Sequence, residues 1–148
     1  MKASYLLGRM IFGGYFLYAG IHHMQETESM AQYAGAKGVP APEIAVKGTG
    51  IALIAGGTSV LLGLKREWGA ATIAAFLATV SPMMHDFWKQ QDPERRQNEM
   101  INFGKNMALL GASLALMGLE KPRKEAPSDW SESRTEQNRR PVHKKKAA

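Results

Sequence analysis

The chain has 148 residues, 45% of them apolar and 22% charged, and carries a net charge of +6. It contains no cysteine, which excludes disulfides, thiolate metal sites and a dithiol relay within the chain, so redox chemistry would need a cofactor or a partner. Residues 120–148 hold nine Lys/Arg and five Asp/Glu, so the segment before them is far more apolar than the whole-chain average.

Four apolar windows, near residues 4–23, 45–64, 68–86 and 101–119, approach or reach the roughly 20 residues that a helix needs to cross a hydrocarbon core. The first contains one fixed charge, Arg9, and then runs uncharged from Met10 to Gln25. A signal peptide is the competing reading of this window, but Arg9 interrupts it and no small-residue cleavage site follows before His22-His23, so a retained span is expected. Residues 24–43 predict a short interfacial helix with Met30, Tyr33 and Ala34 on one face, ended by Gly38, Pro40 and Pro42.

The second window runs uncharged from Gly48 to Leu64, with Lys47 at its edge. The third is uncharged from Trp68 to Met84, and Pro82 predicts a kink just before His85-Asp86. Gln90-Gln91-Asp92-Pro93 reads as a turn, and the fourth window carries Lys105 as its one charge. These windows are apolar nearly all round, which favours lipid over water as their medium. A soluble four-helix bundle would need polar faces, and Ile51 to Leu64 offers only Thr58 and Ser59. Small residues at fourfold spacing, Gly48/Ala52/Gly56, Ala71/Ala75 and Gly104/Ala108/Ala112, predict close helix packing.

The fold expected is therefore all-α: an integral membrane four-helix bundle over residues 1–119, followed by a disordered basic tail over 120–148. Lys2, Lys65-Arg66, Lys121, Arg123 and Lys124 lie on one side, while Lys37, Lys89, Arg95 and Arg96 on the other are diluted by acids. The positive-inside bias then puts both termini in the cytoplasm, at the inner membrane. The tail is expected to be solvated, with contact to anionic lipid as the next reading, ahead of nucleic acid, which is not expected as a partner.

Polar residues gather at the outer end. His22 and His23 close the first span, Lys47 opens the second, His85 and Asp86 end the third, and Glu99, Asn102, Lys105 and Asn106 begin the fourth. Such groups are costly against lipid and should face the bundle interior or water. Asp86 or Glu99 pairing with Lys105 or Lys47 would make a structural clasp, and the same groups would otherwise form a ligand or proton-handling site. His22 or His23 with His85 is the weaker haem or metal alternative; no resident cofactor is expected. Tyr15, Tyr18 and His22 form an aromatic face of the first span, read either as packing or as the wall of a quinone-sized cleft. Arg9 is expected to snorkel to the inner headgroups, or else to face inward with Gly13, Phe16 and Gly20.

Several blocks together carry a family likeness. They are Leu7-Gly8-Arg9, Phe12-Gly13-Gly14-Tyr15-Phe16, Gly20-Ile21-His22-His23, Met30 to Ala34 with Lys37 to Pro42, Met84-His85-Asp86-Phe87-Trp88, and Asn98 to Phe103 with Lys105-Asn106. Over residues 5–119 the chain resembles the DoxX family of small four-span membrane proteins. That resemblance implies a four-helix membrane bundle; some relatives are associated with membrane oxidoreduction, including a subunit of thiosulfate:quinone oxidoreductase and a mycobacterial complex that handles oxidative stress. Three functional expectations follow: an accessory subunit that docks a membrane-protein partner or a second copy, a quinone-linked oxidoreductase component, or a small oligomeric permease lined by Glu99, Asn102, Lys105 and Asn106.

Overall fold

The computed structural model describes residues 3–118, which form five α-helices and one 3₁₀ turn, with no strand among the described residues. The helices are α1 (Ala3–Gln25), α2 (Thr27–Ala36), α3 (Pro42–Leu62), α4 (Arg66–Met84) and α5 (Pro93–Gly118), and the 3₁₀ turn spans Phe87–Lys89. The tail expected over 120–148 lies outside the described residues.

The four long helices match the four apolar windows, with ends set by local chemistry. Pro42 opens α3, where its missing N–H costs no helical bond. Gly63 closes α3 in the left-handed conformation at φ 76° and returns its N–H to the Ser59 carbonyl. α4 stops at Met84, two residues after Pro82, so His85 and Asp86 lie beyond the helix and not in its last turn as the sequence predicts. α5 starts earlier than expected: the Asp92 carboxylate accepts the Arg95 N–H at 3.0 Å, and Pro93 sits in the first turn.

The main packing runs from α1 to α3, α3 to α4 and α4 to α5, while α2 lies on α3. One core joins all four long helices: Phe16 from α1, Leu53 and Val60 from α3, and Ala70, Ile73 and Leu77 from α4 are buried, and Leu109, Leu110 and Leu116 of α5 pack against them. A second, smaller cluster seats Ala31 and Ala34 of α2 on Val46 of α3, beside Met30, Val39 and Met84.

Glycines permit the closest crossings. A Cβ on Gly13 would stand 2.6 Å from the Leu61 nitrogen, and one on Gly20 would stand 2.7 Å from the Gly50 carbonyl oxygen. Gly56 and Gly69 play the same part between α3 and α4. The small-residue rows expected from spacing are thus corrected. Gly56 belongs to a crossing, but Gly48 and Gly104 have nothing near them, and Ala75, Ala108 and Ala112 are exposed.

Large apolar side chains cover the outside, among them Ile11, Tyr18, Ile44, Ile51 and Trp68. Among the described residues one helix, α3, is long and apolar enough to cross a membrane on its own composition. In α5 the first two turns carry Glu94, Arg95, Arg96, Gln97, Asn98 and Glu99, which lowers the mean hydropathy of that helix.

Candidate functional site: an ionic cluster beside an apolar cleft

The short α2 ends at Lys37, whose N–H bonds to the Tyr33 and Ala34 carbonyls, and Gly38 follows at φ 81°. A cation at a helix C-terminus is favoured by the helix dipole. From there the Lys37 ammonium reaches Asp86, 49 residues away, at Nζ–Oδ1 2.7 Å, and stands 3.9 Å from Glu99 Oε1. His85 Nδ1 lies 2.8 Å from Glu99 Oε2, a contact that an Nδ1–H donor makes to the carboxylate. Gln90 donates Nε2–H to Asp86 at 3.2 Å, and the exposed Lys89 ammonium approaches the other Asp86 oxygen at 3.7 Å.

The side chains of Lys37, Asp86, Glu99 and His85 are only 14–22% exposed. The Lys37 and Lys89 ammonium groups stand against two carboxylates, so the cluster neutralises itself. Phe87, Trp88 and Phe103 form its aromatic flank, with ring centroids 5.1–6.1 Å apart. The hydrogen bond from Lys37 holds the Asp86 carboxyl below its ordinary value, with the Lys37 charge and Gln90 adding to the effect against partial burial. Partial burial disfavours the Lys37 ammonium, but the hydrogen bond to Asp86 and the charges of Tyr33, Asp86 and Glu99 outweigh it and move its pKa up.

A cleft of about 850 Å³ lies alongside, lined mainly by apolar groups that include Met30, Tyr33, Val46 and Phe76, with His23, Ser29, Thr49, Thr72 and Thr79 as polar points. Tyr33 links the two features, because its ring centroid is 5.9 Å from Lys37 Nζ. The His23 ring meets Phe76 edge-on at 5.9 Å, and its Nδ1 is buried without a hydrogen-bond partner.

The other residues singled out by sequence fall in separate places. Glu99, Asn102 and Asn106 share the inward face of α5 with the buried Ser113, whereas Lys105 is exposed beside that face. Lys47 is also exposed and bonds Glu43 at 2.6 Å within α3. His22 stacks on the exposed Tyr18 at 6.1 Å, and Tyr15 meets Phe16 edge-on. Tyr15, Tyr18 and His22 therefore do not line the cleft with His23, and His85 is engaged by Glu99. Among the described residues no group of three or more His, Cys, Asp or Glu side chains is arranged to hold a metal ion. Arg9 faces inward with Gly13, Phe16 and Gly20 and does not project to the surface.

Sequence reasoning missed Lys37 as a member of the site and counted it only as a loop charge. The available signal was its position as the last cation before Gly38, where α2 ends.

No curated protein and no solved structure matches the chain. A family model, DoxX, matches residues 4–86, a stretch that takes in α1 to α4 with Lys37, His85 and Asp86, while Glu99 on α5 lies beyond it. Because that match spans more than half of the sequence, the chain belongs to the DoxX family.

Proposed function

We propose that this protein is an accessory subunit of the inner membrane, spanning it with α1, α3, α4 and α5 and keeping both ends in the cytoplasm. The outer ionic cluster acts as a clasp that fixes α2 over the cleft, where a small lipophilic molecule or an apolar segment of a membrane partner docks. The observation that carries this reading is the self-paired set Lys37–Asp86 and His85–Glu99, which ties three separate chain segments together. A cluster whose charges are mutually engaged suits holding better than proton exchange with a substrate. The apolar exterior, and Lys65-Arg66 at the end opposite the clasp, support the bilayer setting and the orientation.

The test is purification of the whole chain in mild detergent, with identification of every protein and lipophilic molecule that stays bound. A stoichiometric partner or ligand that is lost in Asp86→Asn and Thr49→Phe variants supports the reading. A preparation with nothing bound, or binding indifferent to both changes, refutes it.

A quinone-linked role is the second reading, and the unpartnered His23 Nδ1 on the cleft wall favours it. An imidazole there would offer one hydrogen bond to a quinone carbonyl inside an apolar slot. Quinone recovered with the wild-type chain and absent from His23→Phe supports this reading, whereas equal recovery from both removes it.

A further inference from the structure

At the end of the molecule opposite the clasp, Arg9 is 92% buried, at 8% exposure. Its Nε has no hydrogen-bond partner, and none of the ion pairs among the described residues involves it. The guanidinium fills the space over Gly63, where any side chain would collide with it. The C-terminal end of α3 offers it partial negative charge, but a helix dipole supplies only about half a charge. Two carbonyls of the adjoining turn already share the Ser59 hydroxyl, Leu64 O at 2.6 Å and Lys65 O at 3.1 Å. A charge kept out of water without a counterion is expensive.

A second orphan lies one helical turn away. Tyr5, four residues before Arg9 and so on the same side of α1, has a buried hydroxyl with no partner. Its ring carries the Arg66 guanidinium at 5.3 Å, and Lys65 stands next in the chain at the start of α4. A guanidinium whose buried Nε–H has no partner, a buried hydroxyl without one and two further cations therefore stand at one corner. A guanidinium fork matches the oxygens of phosphate better than any other common anion except carboxylate. The corner stands at the end of the helices, which the functional proposal puts at the cytoplasmic headgroup level; the inference shares only that bilayer setting with it.

We propose that Arg9 and Tyr5 form a binding site for a phosphate group, supplied by the headgroup of a membrane phospholipid. The guanidinium takes the phosphate oxygens, the Tyr5 hydroxyl donates a further hydrogen bond, and Lys65 and Arg66 add long-range attraction to an anionic leaflet.

The test follows thermal unfolding of the full chain in mild detergent while phosphatidylglycerol, diacylglycerol with the same acyl chains, or inorganic phosphate is added. Phosphatidylglycerol should raise the midpoint and diacylglycerol should not. Arg9→Gln should weaken the phosphatidylglycerol response by about tenfold or more in apparent affinity, in line with loss of a charge-assisted pair. Tyr5→Phe keeps the ring under Arg66 and should weaken it about threefold through the lost hydroxyl bond; this variant decides the matter if Arg9→Gln does not fold. Inorganic phosphate acting as strongly as the lipid, and equally sensitive to Tyr5→Phe, would keep the phosphate site but overturn the lipid as its source. Equal responses to the two lipids, or a phosphatidylglycerol response unchanged by Tyr5→Phe and by any folded Arg9→Gln, would overturn the proposal.

Discussion

The Lys37 ammonium and the Asp86 carboxylate stand 2.7 Å apart although 49 residues separate them. This pair joins the end of α2 to the turn between α4 and α5, and Glu99 and His85 extend the link into α5. Removing Lys37 leaves Asp86 with Gln90 and the more distant Lys89, and removing Asp86 leaves Lys37 with Glu99 at 3.9 Å, so each single change leaves a mostly buried charge poorly matched, whereas removing both removes that mismatch. Lys37→Gln and Asp86→Asn should each lower the thermal midpoint by a few degrees. The double variant should melt no lower than the worse single one, a non-additivity that a double-mutant cycle in detergent measures directly.

The same pair fixes a pH dependence. Asp86 titrates below its ordinary value of 3.8 when folded, so its contribution is complete above that value and is lost as pH falls through the lower, folded value. Lys37 titrates above 10.5 when folded, so its contribution is complete below 10.5 and is lost as pH rises through the higher, folded value. The difference in midpoint between wild type and Asp86→Asn should therefore stay level between about pH 5 and 9 and close as pH falls through the lowered Asp86 value. A difference that instead shrank steadily from pH 8 to pH 5 would mean that this pair does not control it.

How much of this was legible in sequence depends on range. The four long helices are written as largely apolar stretches, although the polar first turns of α5 are not part of one, and α2 announces its end through Gly38 and Pro40. The polar set His85, Asp86 and Glu99 is visible because charge at the edge of such stretches is rare. Its partner is not visible, since nothing local says that α2 folds back to bring Lys37 over the α4–α5 turn. Lys105 was the nearer choice along the chain, but at 100° per residue it stands about 240° around the helix from Glu99, while Asn106 returns to within about 20°. The inward turn of Arg9 is the second of the two orientations that the sequence offers, and it prevails because Gly13 and Gly20 make close approaches to α3, so the residue that shares their face follows them inward.

The α1–α3 crossing gives a contrast between neighbouring glycines. A methyl group on Gly13 would meet the Leu61 nitrogen at 2.6 Å and the Gly57 oxygen at 2.9 Å, both backbone atoms that no side-chain rotation can move. Gly14 has open space at the same point. Gly13→Ala should destabilise the fold by about 1–3 kcal/mol through forced helix separation. Gly14→Ala should be neutral or stabilise it by up to about 1 kcal/mol, because alanine loses less backbone entropy in a helix. Unfolding of the two variants side by side in detergent checks the register, and equal effects would place the crossing elsewhere.

The medium around α3 is tested by Ile51, which lies near the middle of that helix and is 60% exposed, two residues from Leu53, which is fully buried. In water an exposed isoleucine replaced by lysine would be harmless, because a charged side chain on a solvated face is ordinary. In lipid the same change puts an ammonium near the centre of a span, where insertion scales assign it about 2.5–3.5 kcal/mol. Ile51→Lys should therefore sharply lower the amount of chain recovered folded from the membrane fraction, and Ile51→Leu should leave it unchanged. Exposure and burial alternate so closely here that the outcome depends on what surrounds the helix and not on its packing. Full recovery of Ile51→Lys would mean that this face of α3 meets water.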